Sequence, residues 1–109
     1  MIRHIVLLRA RPDVSDAQVA AILAGLGPIR EKLPGILSVH AGRSESPEQI
    51  ERGYMHGFTI DFTDWEALAT YADHPDHKRL AGQLVAAAQG GIDGILVFDL
   101  PCPDAPQGG

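Results

Sequence analysis

The chain has 109 residues, enough for one domain with a modest core. Nine basic residues are scattered among fourteen acidic ones, and the net charge of -5 argues against nucleic acid or an anionic membrane surface as a partner. The single cysteine, Cys102, excludes an internal disulfide and a four-cysteine zinc site; with apolar runs too short to span a bilayer, it points to a cytoplasmic protein.

Ile2 to Arg9 is β-branched and leucine-rich and reads as the first strand, with His4 inside it. Its short apolar run is not followed by a small-residue cleavage site, which reads as a strand and not as a signal peptide. Ile2, Val6 and Leu8 fall on one face and Ile5 and Leu7 on the other, the pattern of a strand covered on both sides. Ser15 and Gln18 have the spacing of a capping box. Val19, Ile22, Leu23, Leu26, Ile29 and Leu33 then make one helical stripe, with Gly27-Pro28 as a kink and Leu33-Pro34-Gly35 as its end.

Ile36 to Ala41 reads as a second, weaker strand. Gly42 to Gly53 is a polar loop in which Pro47 suits one helical turn. The third strand runs from Tyr54 to Phe62 and places Tyr54, His56, Phe58, Ile60 and Phe62 on one face. Thr63 or Asp64 caps the next helix, whose apolar face is Trp65, Leu68, Ala69 and Ala72. Pro75 interrupts that helix and starts another, to about Ala88, with Leu80, Leu84, Val85 and Ala88 inward. Gly90-Gly91 stops it, and Ile92 to Leu100 is the last strand. Residues 101–109, PCPDAPQGG, read as a mobile tail.

The order is β-α-β-β-α-β, an α+β, ferredoxin-like chain with an antiparallel four-stranded sheet. Two helices cover only one face of such a sheet. The strands are apolar on both faces, so a second copy packed sheet against sheet, a homodimer, is the simplest cover for the other.

The stretches "IRHIVLLR", "LPGILSVHAG", "YMHGFTIDFTDWEALATYADHPDHKRL" and "GGIDGILVFDL" together resemble the stress-responsive A/B barrel (Dabb) family over Ile2 to Leu100. The resemblance implies a ferredoxin-like protomer and a dimeric α/β barrel. The family includes an enzyme that folds a linear polyketide thioester into an aromatic acid by aldol condensation, without metal or organic cofactor. Its catalytic tyrosine and histidine lie in a Tyr-x-x-His-Pro-x-His string that matches Tyr71 and His77 here. Its histidines in the first and third strands match His4 and His56. Similar barrels include cofactor-free monooxygenases, and fold alone does not carry a function.

The residues themselves admit that chemistry. Pro75 as the first helical residue puts His77 in the first turn, where the helix dipole disfavours imidazolium and favours the neutral base. Tyr71, in the last turn of the preceding helix, is placed to donate to a carbonyl oxygen becoming an enolate. His4, His56 and Phe58 are candidate substrate contacts. Structural readings stand beside these. His77 also reads as a histidine bonded to a backbone carbonyl at the helix junction. Tyr71 reads as a core residue with its hydroxyl in solvent, and His4 and His56 as interior histidines satisfied by each other or by water. His74 reads as a cap or solvent-facing residue, and Asp61 and Asp64 as strand end and cap. Pro75 spoils the alignment of His74 and His77 as metal ligands, so neither a metal nor an organic cofactor is expected. Three functions remain: an acid/base enzyme on a small carbonyl compound, a non-catalytic stress-responsive or ligand-binding dimer, and a cofactor-free oxygenase like those of the similar barrels.

Overall fold

The computed structural model describes residues 1–103. Four strands, β1 (Ile2–Leu8), β2 (Ile36–Arg43), β3 (His56–Phe62) and β4 (Ile95–Pro101), form one sheet in the order β2-β3-β1-β4 with every neighbouring pair antiparallel. The helices are α1 (Asp16–Leu23), α2 (Leu26–Lys32), α3 (Trp65–Asp73) and α4 (Pro75–Ala87). This is the ferredoxin-like chain, with both of its helices split.

The alternation of β1 and β3 decides which face packs. Ile2, Val6 and Leu8 of β1 and Phe58, Ile60 and Phe62 of β3 are buried under the helices, against Val19, Leu23, Leu26, Ile29, Leu80 and Leu84. Each such side chain contributes about 1.5–3 kcal/mol by leaving water. The opposite face has no helix over it. Leu7, Leu96, Phe98 and Leu100 remain exposed there, so the sheet is apolar on both sides, as its sequence requires. Gly57 sits opposite Leu7, where a Cβ would meet the Val6 carbonyl oxygen at 2.7 Å, so this crossing of β3 and β1 needs glycine.

Ser15 and Gln18 form the expected capping box at α1: Gln18 N donates to Ser15 Oγ at 3.1 Å and Ser15 N to Gln18 Oε1 at 2.7 Å. The break that follows lies at Ala24-Gly25, one turn before the expected Gly27-Pro28 kink. Pro28 lacks the N–H that the Ala24 carbonyl would accept in a continuous helix. That carbonyl takes Gly27 N at 3.4 Å instead, and Pro28 sits in the first turn of α2 where no donor is missed.

Two strand starts also shift. Tyr54 and Met55 precede β3, and the Tyr54 ring lies under the Arg9 guanidinium, 4.7 Å from its centroid, with Arg9 Nη2 donating to its hydroxyl at 3.0 Å. Gly90 and Gly91 are both left-handed, with φ of 77° and 66°, and lead into a 3₁₀ turn, Gly91–Gly94. Ile92 therefore stands in that turn, and β4 begins at Ile95. At its far end β4 includes Pro101, and Cys102 exchanges backbone hydrogen bonds of 2.8 Å with Met1, so the tail expected from residue 101 does not begin there. Residues 104–109 lie outside the described residues. Among the described residues, no helix is long and apolar enough to cross a membrane.

Candidate active site

The site begins with a helix that fails to continue. Pro75 has no N–H for the Tyr71 carbonyl, which accepts His74 N at 3.0 Å instead. His74 is at once the C-cap of α3 and the N-cap of α4, and its Nδ1 accepts Asp76 N at 3.1 Å. Asp76 N would have bonded the Ala72 carbonyl in an unbroken helix. The break therefore leaves that carbonyl free, and His77 Nδ1 donates to it at 3.0 Å. The bond fixes the proton on Nδ1 and leaves Nε2 with its lone pair. Lys32 Nζ, 2.6 Å from Asp76 Oδ2, ties α2 to the first turn of α4.

Beneath the junction lies a cavity of about 340 Å³ between the sheet and α3–α4. Its polar lining consists of His4, Tyr71, His77 and Asp99; Val6, Phe58, Leu84 and Ile95 are among its apolar walls. The Tyr71 ring is 4.4 Å from that of His77 and 5.8 Å, edge on, from that of His4. Tyr71 is 1% exposed, and its hydroxyl has no hydrogen-bond partner. This corrects the expectation of a hydroxyl in solvent: the α3 turn carrying Tyr71 is packed onto Phe62, with ring centroids 5.3 Å apart. Burial pushes the phenol well above its ordinary value of 10.0 and keeps it a neutral donor. Burial also lowers the pKa of His77 below 6.5, against the opposing effect of the Ala72 bond; His4 and Lys78 lower it further.

His4 Nδ1 donates to Asp99 Oδ1 at 2.5 Å. Antiparallel register places these residues opposite one another on β1 and β4. Asp99 was not singled out from the sequence. Its signal there is a lone carboxylate in the apolar run "GILVFDL", legible only once the register with His4 is known.

Residues 2–102 match the profile of the family described as the Stress responsive A/B Barrel Domain, Dabb. The chain belongs to the Dabb family. This Dabb protein is 28% identical over 98 residues to the stress-response A/B barrel domain-containing protein HS1 of Arabidopsis thaliana, covering 90% of this chain and 86% of that one. It is 22% identical over 76 residues to olivetolic acid cyclase of Cannabis sativa, covering 70% of this chain and 75% of that one. Among solved structures, a dimeric ferredoxin-like protein of unknown function from Jannaschia sp. CCS1 superimposes with a TM-score of 0.87 at 37% identity, over 93% of this chain and 98% of that one.

In this Dabb protein His4, Phe58, Tyr71 and His77 share the cavity, and His56 does not. His56 is buried on the same face but four residues along β3 from Ile60, which lies opposite His4. Four residues of strand are about 13 Å. His56 instead lies beneath the start of α1, with Nε2 3.1 Å from Asp16 Oδ1 but without hydrogen-bond alignment; neither ring nitrogen has a hydrogen-bond partner. Arg43 Nε approaches the same carboxylate at 3.2 Å. His4 and His56 therefore do not satisfy each other. Asp64 caps α3 through Ala67 N at 2.8 Å, and Asp61 joins Arg3 and Ser38 on the uncovered face. Among the described residues, no three His, Cys, Asp or Glu side chains gather as metal ligands.

Proposed function

We propose that this Dabb protein is a cofactor-independent acid/base enzyme acting on a small carbonyl compound, and that it works as a homodimer. The observation that carries the proposal is the buried, unpartnered Tyr71 hydroxyl in the same cavity as a histidine with a free Nε2. An unmet polar group inside a protein costs about 1–3 kcal/mol, a cost that a bound carbonyl oxygen removes. His77 Nε2 takes a proton from the carbon beside the carbonyl. Tyr71 donates to the oxygen as negative charge develops on it. The enolate so formed adds to a second carbonyl in an aldol or cyclase reaction, or the reverse sequence cleaves one. The similarity to a protein named as a cyclase supports this class. The apolar, uncovered sheet face supports the dimer, as does the dimeric description of the Jannaschia protein.

The test is deuterium exchange of the α-protons of a neutral ketone such as phenylacetone, followed by NMR. Wild-type protein accelerates exchange. His77→Ala lowers the rate about 10²-fold or more, and Tyr71→Phe by about 10²-fold. Tyr71→Phe leaves the melting temperature unchanged or raised, because it deletes a buried group with no partner. If both variants instead melt early, the two residues are structural. Binding of ketones without exchange favours the non-catalytic, ligand-binding dimer.

A further inference from the structure

We infer that Asp99 sets the charge of the substrate: the cavity takes a neutral carbonyl compound and turns away carboxylates. The inference rests on the carbonyl-site reading above and adds a selectivity to it. Asp99 stands on the edge strand, and its side chain is 28% exposed. Val97, two residues before it on the same face, and Ile92 in the 3₁₀ turn are the most exposed residues of the cavity wall, at 59% and 67%. The cavity therefore opens between β4 and that turn, and Asp99 borders the way in.

No Lys or Arg side chain lines the cavity. Lys78, next to His77 on α4, is exposed and lies outside the lining. Asp99 is the one carboxylate of the lining, and His4 Nδ1 is hydrogen-bonded to it. His77 is held toward its neutral form by burial. A substrate carboxylate would therefore leave water for a largely apolar space with a carboxylate in its wall and no Lys or Arg to pair with, an unfavourable arrangement. A ketone or aldehyde brings no such charge, and the Tyr71 hydroxyl is there to donate to its oxygen. Since His4 Nδ1 is occupied by Asp99, the carboxylate also holds the His4 ring facing Tyr71.

The probes are phenylacetone and phenylpyruvate, which match in shape and differ in a methyl against a carboxylate. Binding is read from shifts in the Tyr71 and His77 side-chain NMR signals, which require no turnover. In wild-type protein phenylacetone binds at least about ten-fold more tightly than phenylpyruvate. Asp99→Asn brings the two together by at least about ten-fold, chiefly by gaining phenylpyruvate. Val97→Lys adds a cation at the mouth from an exposed edge position, so its folding does not depend on the His4–Asp99 pair, and it moves the ratio the same way. Wild-type binding of phenylpyruvate equal to that of phenylacetone overturns the charge selection and leaves the carbonyl site standing. So does a ratio unmoved in the folded variants. Failure of phenylacetone to shift Tyr71 or His77 overturns the carbonyl site, and the selectivity with it.

Discussion

The lone pair on His77 Nε2 exists because a hydrogen bond is made on the other side of the ring. The sequence admits two roles for this residue, a base and a structural ring bonded at the junction. The Ala72 bond makes the two compatible, since the structural contact sets the tautomer that a base would need. Burial holds the pKa of His77 below 6.5, so the exchange rate should fall off at a lower pH than it would for an ordinary imidazole. Stability follows with the same sign. Between the depressed value and 6.5, the unfolded chain binds a proton that the folded chain does not, so stability rises with pH in that window and is fully present above it. Urea midpoints for wild-type protein and His77→Gln, compared from about pH 7 downward, should show the wild type losing stability relative to the variant as pH falls below 6.5. A difference that is constant with pH contradicts the burial of a neutral imidazole. Tyr71 and His77 were legible because one short string holds both. Asp99 was not, because its partner His4 lies 95 positions away and only strand register joins them.

The junction of α3 and α4 was readable for the same reason that it works: proline cannot donate a hydrogen bond. Its consequences for neighbouring carbonyls were not readable, since which groups replace the lost donor depends on how His74 turns. Pro75→Ala restores the missing N–H and allows the helix to run through. Asp76 N then reclaims the Ala72 carbonyl and His77 loses its anchor. The expected result is exchange about 10²-fold slower with the melting temperature unchanged or higher, because the helix gains bonds while the base loses its position. A fully active Pro75→Ala protein would show that the break does not position His77. The break between α1 and α2 obeys the same chemistry at Pro28. It falls earlier than expected because a proline disturbs the carbonyl four residues before it as well as its own position.

The order of elements was enough to give the ferredoxin-like sheet, because each strand and helix announces itself by its own period. Convergence of four polar residues was not obtainable that way. Period tells which face a residue occupies, not how far along the strand it stands, and His56 shares His4's face while lying at the other end of it. The uncovered face carries its own expectation. Phe98 is 60% exposed on that face, and Phe98→Glu places charge where a second copy would pack. Sedimentation should show the mass of the wild-type dimer halved in the variant, and a wild-type monomer at micromolar concentration would remove the case for self-association. The His4–Asp99 bond has one more implication, for the order in which the molecule comes into being. It closes a loop of nearly the full chain, so it bears a large closure entropy and should form late on refolding. The proposed chemistry therefore needs the final strand: a chain that has collapsed, and even buried Tyr71, has no complete cavity until β4 docks. Recovery of the proposed exchange activity on refolding would thus mark a finished sheet.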